Sequence, residues 1–138
     1  MIPHDPRTFR VESRRIGTVA VVVPDGELDG GTAPLLVAET TRALSTAPAV
    51  VVDLSSVSFL DCRALGVLVS LTRRARERGG RLRVAALPGH AHDLFSRFDL
   101  YGVLGGRSDV AGECRALAAL ADGAGLAAGD AERPRITA

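Results

Sequence analysis

The run from Ala49 to Leu54, Ala-Val-Val-Val-Asp-Leu, constrains this chain more than any other segment. It is an almost unbroken apolar stretch, the pattern of a central strand covered on both faces rather than one alternating between core and water. An amphipathic pattern follows from about Cys62 to Arg78. Ala64, Leu68, Leu71 and Ala75 line one helical face, and Arg63, Ser70, Arg74, Glu77 and Arg78 line the other. Gly79-Gly80 ends it by supplying the left-handed residue that a helix terminus needs. Leu82 to Leu87 then returns as a second apolar strand. Strand, helix and strand in this order make a βαβ unit, so the two strands should be parallel and the crossover right-handed.

The flanking segments extend that unit. Thr8 to Glu12 alternates polar and apolar, Thr18 to Val23 is β-branched and apolar, and Ile16-Gly17 between them suggests a hairpin opening the sheet. Pro24-Asp25-Gly26 carries turn chemistry and is expected to break the second strand. Glu27 to Gly31 then reads as a loop, Thr32 as a helix N-cap and Pro34 as a first-turn residue. Leu36, Thr40 and Leu44 share the face of the helix that follows. Ser55 to Leu60 reads as a connecting loop with Val57, Phe59 and Leu60 as apolar anchors. Beyond Pro88-Gly89 the pattern predicts a short helix from His92 to Phe98 and a short edge strand at Val103-Leu104. Ser108 or Asp109 should cap a last helix with Val110, Cys114, Leu117 and Ala121 on its apolar face. The expected fold is α/β, a mixed sheet of four or five strands with about four helices packed mainly on one face. Residues 1–7 should be flexible, 8–121 folded as one domain, and 122–138 a disordered tail rich in Gly, Ala and charge.

Composition narrows the function classes. Residues of the hydrophobic class make up 46% of the 138-residue chain, but the only aromatics are four Phe and one Tyr, so the core must be aliphatic. The 17 basic residues are all Arg and the net charge is +1, so nothing global points to nucleic acid or an anionic membrane. The run Arg73 to Arg78 lacks interleaved aromatics and reads as a solvated helix face. The opening residues from Met1 to Arg7 lack an apolar h-region, so no signal peptide is expected. No apolar run reaches the roughly 18 residues of a membrane span. Cys62 and Cys114 form no Cys-x-x-Cys pair, and two free thiols suit a reducing cytoplasm. Cys114 falls on an apolar helix face and reads as a core thiol.

Catalytic and cofactor signals are weak. His90 and His92 stand two apart with no third ligand type nearby, so no metal is expected. There is no phosphate-binding Gly-x-x-x-x-Gly-Lys run, and Leu68 stands where a Cys-x5-Arg phosphatase motif built on Cys62 would need Arg. No enzyme activity and no cofactor are expected.

The informative segment is Phe59-Leu60-Asp61-Cys62-Arg63-Ala64-Leu65-Gly66. Asp61 is placed to cap the helix by accepting free first-turn N–H groups. Cys62 then lies at the positive end of the helix dipole, where an attached anion is favoured. On spacing alone, a capped helix with an incidental cysteine is the plainest reading. Together with the motifs Gly26-Glu27-Leu28-Asp29 with Thr32, Val51 through Asp61, Leu65-Gly66-Val67-Leu68, and Asp93 through Leu100, however, the chain resembles the STAS domain of the anti-sigma factor antagonist family from about Thr8 to Leu120.

That resemblance implies a protein that works by binding rather than catalysis. In the family, the antagonist binds an anti-sigma factor, often a kinase with an ATP-binding fold, and so frees a sigma factor for transcription. The kinase phosphorylates a Ser directly after the Asp that opens the second helix, and the phosphate blocks binding. The resemblance implies a partner surface of Glu27, Asp29, Thr32, Asp61, Cys62, Arg63 and Leu65, no direct membrane insertion, and a monomer or weak homodimer. Where the family has Ser-Ser-Gly-Leu, this chain has Cys62-Arg63-Ala64-Leu65. Cys62 occupies the phosphoacceptor position, and a Ser/Thr kinase cannot use its thiol. Constitutive binding, modification elsewhere or Cys62 oxidation are the readings left. Arg63 adds a bulky cation suited to an acidic patch on a partner. The alternative is a STAS scaffold or sensing subunit of a signalling or transport complex.

Overall fold

The computed structural model describes residues 8–130, with 121–130 as backbone only. Ten elements follow one another. They are β1 (Arg10–Ile16), β2 (Val19–Leu28), α1 (Ala33–Leu44), β3 (Ala49–Asp53), β4 (Val57–Leu60), α2 (Cys62–Glu77), β5 (Arg81–Ala85), α3 (Gly89–Arg97), α4 (Tyr101–Leu104) and α5 (Val110–Asp130). The sheet runs β1-β2-β3-β5, with β4 paired to the far end of β2. β1 and β2 form the antiparallel hairpin, turning through Gly17 at φ 62°. The β2–β3, β3–β5 and β2–β4 pairs are parallel, so the sheet is mixed, as expected.

The apolar run at Ala49 is a strand buried on both sides. Val50 and Val52 point into a core with Ala20, Val22, Leu82 and Val84 of the sheet and with α1 to α4. Val51 points the other way, joining Val19, Val21 and Ala85 beneath Cys114 and Leu117 of α5. Four helices thus cover one face and a fifth closes the other. Cys114 is the core thiol its position implied.

α2 buries Ala64, Leu68, Leu71 and Ala75 as the pattern predicts, and Leu65 and Thr72 as well. It ends where Gly79, at φ 80°, reverses the chain and the Gly80 amide donates back to the Ala75 carbonyl. Gly80 has a second reason to lack a side chain, since a Cβ there would stand 2.4 Å from the Pro48 carbonyl oxygen.

Several local expectations are overturned. Pro24-Asp25-Gly26 does not break β2, which continues to Leu28 and takes Glu27 and Leu28 out of the expected loop. The strand has parallel partners over 19–22 in β3 and over 26–28 in β4, and residues 23–25 fall between them. A proline in that gap forfeits no ladder bond on that side, and Gly26, at φ 122°, absorbs the register shift. Residues Val57 to Leu60 are strand β4 rather than loop. Val103-Leu104 lies in the helix α4, not an edge strand, and only Gly105 reaches the sheet, bridging to Val84. The short helix after Pro88 starts earlier than expected, at Gly89. Asp109 caps α5, its Oδ1 accepting the Gly112 amide at 2.8 Å. The tail expected from 122 onward falls partly on the backbone of α5. Residues 131–138, like the expected flexible start at 1–7, lie outside the described residues.

Candidate functional site

β2 and β4 end side by side with Leu28 paired to Leu60, both fully or almost fully buried. Two chain segments therefore leave the sheet together, Asp29 leading to α1 and Asp61 leading to α2. The Asp61 amide donates to the Leu28 carbonyl at 3.3 Å and closes the gap between them. Ends of adjacent parallel strands are where α/β sheets present binding surfaces, because helices and loops diverge there.

Asp61 caps α2 as expected, with extended backbone (φ −102°, ψ 179°) and Oδ1 accepting the Ala64 amide at 2.9 Å. Cys62 and Arg63 follow in the first turn, both exposed. Leu65, expected in the partner surface, is only 5% exposed and packs into the core.

The loop beside them is folded by its own polar groups. Asp29 Oδ1 accepts the Gly31 amide at 2.9 Å and the Thr32 amide at 3.0 Å. Thr32 stands at the N-cap position of α1 but makes no side-chain cap. Its hydroxyl turns backward instead, donating to the Glu27 carbonyl at 2.7 Å and accepting the Asp29 amide at 3.0 Å. Asp29 thus does the capping assigned to Thr32, and Thr32 ties the loop to the end of β2. The Thr32 amide, more than any other group, holds the Asp29 carboxyl below its ordinary 3.8. Partial desolvation opposes it, and the Gly31 amide, the Thr32 hydroxyl and the Arg63 charge add to it.

Arg63 connects the two segments. Its guanidinium lies over Gly30, where an added Cβ would stand 2.9 Å from Nη1. The cation expected to suit an acidic partner thus reaches from the start of α2 across to the Asp29 loop.

One component escaped sequence reasoning. Phe59 pairs with Glu27 across β4 and β2, and its ring is 48% exposed, not a buried anchor like Val57 and Leu60. It stacks on His90 of α3 with centroids 5.7 Å apart and planes 8° from parallel. His90 Nε2 accepts the Leu60 amide at 3.1 Å, so the imidazole is held in place from below. The second histidine is also occupied, with His92 Nδ1 2.5 Å from the Tyr101 hydroxyl. Among the described residues, no three His, Cys, Asp or Glu side chains gather where a metal could sit. Ser55, Ser56 and Ser58 are exposed in and before β4, outside the first turn of α2. No described helix is long and apolar enough to cross a membrane.

The site is therefore a surface, with Glu27, Asp29, Phe59, Cys62 and Arg63 around two helix starts, set on a mixed sheet between helical layers. The model of the STAS domain matches residues 10–112, and the chain belongs to the STAS domain family. No curated protein matches the sequence closely enough to add to that. Among solved structures, an anti-sigma factor antagonist from Mycobacterium paratuberculosis superposes with a TM-score of 0.72 at 24% identity, over 82% of this chain and 97% of the other. The Bacillus cell fate determinant SpoIIAA in its phosphorylated form follows at 0.60 and 17%, over 79% and 99%. The murine solute carrier 26 family member A9 anion transporter matches at 0.52 and 19%, over 64% of this chain but only 15% of its own. At these identities the likeness is one of fold.

Proposed function

We propose that this chain is an anti-sigma factor antagonist, acting in the cytoplasm by binding an anti-sigma factor and releasing a sigma factor for transcription. The observation that supports it most is the convergence of the Asp29 loop and the α2 N-terminus, with Asp61, Cys62 and Arg63, at one end of the β2–β4 pair. Structural neighbours of similar size include proteins described as anti-sigma factor antagonists, one from Mycobacterium paratuberculosis and the unphosphorylated form of SpoIIAA. Glu27, Asp29, Phe59, Cys62 and Arg63 form the contact surface. Thr32, Asp61 and Leu65 hold it in shape. The protein binds and does no chemistry on its partner.

Cys62 stands where the family's phosphoserine would be. A thiol is not an acceptor for a Ser/Thr kinase, so binding is constitutive or controlled by another means. Pull-down from the native cytoplasm, followed by ATP, tests both parts. Recovery of an anti-sigma factor, with phosphate appearing on Cys62→Ser and not on wild type, is the expected result. Recovery of transporter subunits alone would favour a scaffold role like that of a domain within a larger carrier, and equal phosphorylation of both proteins would return the ordinary switch.

A further inference from the structure

β1 is an edge strand, and six of its seven residues are exposed. Its outer backbone groups face no other strand among the described residues, which is a template for pairing with another chain. We propose that β1 pairs antiparallel with β1 of a second copy, about a twofold axis at Ser13, joining the two sheets into one.

The charge order of the strand carries this inference. The chain reads Arg10-Val11-Glu12-Ser13-Arg14-Arg15-Ile16. With Ser13 opposite Ser13 of the second copy, all seven residues overlap. Glu12 then faces Arg14 of the other copy, and Arg14 faces its Glu12. Sliding the strands by two residues one way puts Glu12 opposite Glu12 and Arg10 opposite Arg14. Sliding them the other way puts Arg14 opposite Arg14. Opposite charges across a ladder stabilise and like charges destabilise, so the full-overlap register is selected over both neighbours.

The faces agree with this arrangement. Ser13 and Arg15 turn toward α1, where Arg42 donates to the Ser13 hydroxyl and Arg15 donates to the Thr46 carbonyl. Arg14 lies on the opposite face, 3.9 Å from Asp53. Residues opposed in this register share a face, so the helical layers of both copies stay on their own sides. Arg10 then lies across from the half-exposed Ile16 and Arg15 across from Val11, where the aliphatic stems of the arginines cover apolar surface. β4 joins β2 on the side away from β1. The candidate site is thus left open on each copy.

Sedimentation of the full chain over a range of concentrations tests the association. Wild type should form dimers, Glu12→Arg should weaken them by at least about tenfold through two like-charge pairs, and Glu12→Arg with Arg14→Glu should restore them. Oxidative cross-linking in a Cys62→Ser background tests the register. Ser13→Cys should link to itself, because opposed Cα atoms in a ladder lie within disulfide reach, and Glu12→Cys should not. Far-UV circular dichroism confirms that each variant is folded, and Ser13→Cys carries the test should Arg14→Glu fail. A monomer at every concentration, a dimer indifferent to Glu12→Arg, or equal linking at positions 12 and 13 overturns the proposal.

Discussion

Phe59 lies flat against His90, two exposed rings from β4 and α3 held 8° from parallel while His90 Nε2 accepts the amide of the next residue, Leu60. An exposed aromatic fixed in one orientation offers contact area at little entropic cost, the property of residues that dominate interfaces. Phe59→Ala should therefore leave the melting temperature nearly unchanged and reduce affinity for the proposed anti-sigma partner about tenfold or more. His90→Ala should lower stability by about 1 kcal/mol, because it orphans the Leu60 amide, and weaken binding as well. Calorimetry of binding beside denaturant unfolding separates the two effects. Equal affinity for Phe59→Ala and wild type would remove the ring from the proposed surface.

Asp61 acts through geometry more than charge. Asp61→Ala should destabilise the domain by about 1 kcal/mol through loss of the α2 cap, whereas Asp61→Asn should retain most of it. Denaturant midpoints at unchanged slope check this.

The Asp29 turn predicts an acid limit. Its carboxyl has a folded pKa below the ordinary 3.8, so the ionised form favours the folded state. That contribution is complete above the ordinary value and disappears as pH falls through the lower folded value. Asp29→Asn should be less stable than wild type at neutral pH, and the difference should vanish in strong acid. Thermal melts across that range measure it, and a constant difference would mean the charge is immaterial.

On the opposite face, Glu113 of α5 is 2% exposed, with Oε1 2.5 Å from Arg83 Nε and Oε2 accepting the Gly106 amide at 3.3 Å. Glu113→Ala leaves a half-sequestered guanidinium and an amide without their acceptor, and should cost about 3 kcal/mol. Amide exchange should rise first in α5 and the Gly105-Gly106 turn.

The two thiols should react in a fixed order. Cys62 is exposed, while Cys114 is 8% exposed and burial pushes its thiol above the ordinary 9.0. Iodoacetamide should alkylate Cys62 in the native protein and Cys114 only on unfolding. Peptide mass mapping reads this directly.

The βαβ unit was legible because long elements announce themselves by periodicity. Leu68, Leu71 and Ala75 recur at helical spacing, and Val50 to Val52 leave no polar face. The Asp61 cap was legible for the same local reason, since a carboxylate before an apolar helix has one plain use. β4 was not, because four residues that bury only Val57 and Leu60 have no period to read. Pro24 misled because a proline's cost in a strand depends on whether a neighbour needs the N–H donor that proline lacks, which is a property of the sheet. Thr32 misled in a related way, since its hydroxyl was claimed by a carbonyl five residues back. The Phe59–His90 stack joins residues 31 apart in sequence, and nothing local to either implies the other.

β2 remains the feature with the widest reach. Its first residues sit in ladders with β1 and β3 at the middle of the sheet, and its last residues hold the Asp29 loop beside β4. A partner pulling on that loop pulls lengthwise on the central strand, loading many hydrogen bonds in shear at once rather than peeling them singly. The proposed docking face is fastened to the domain as a bolt head is to its shaft, so a pull at the tip is carried into the whole sheet.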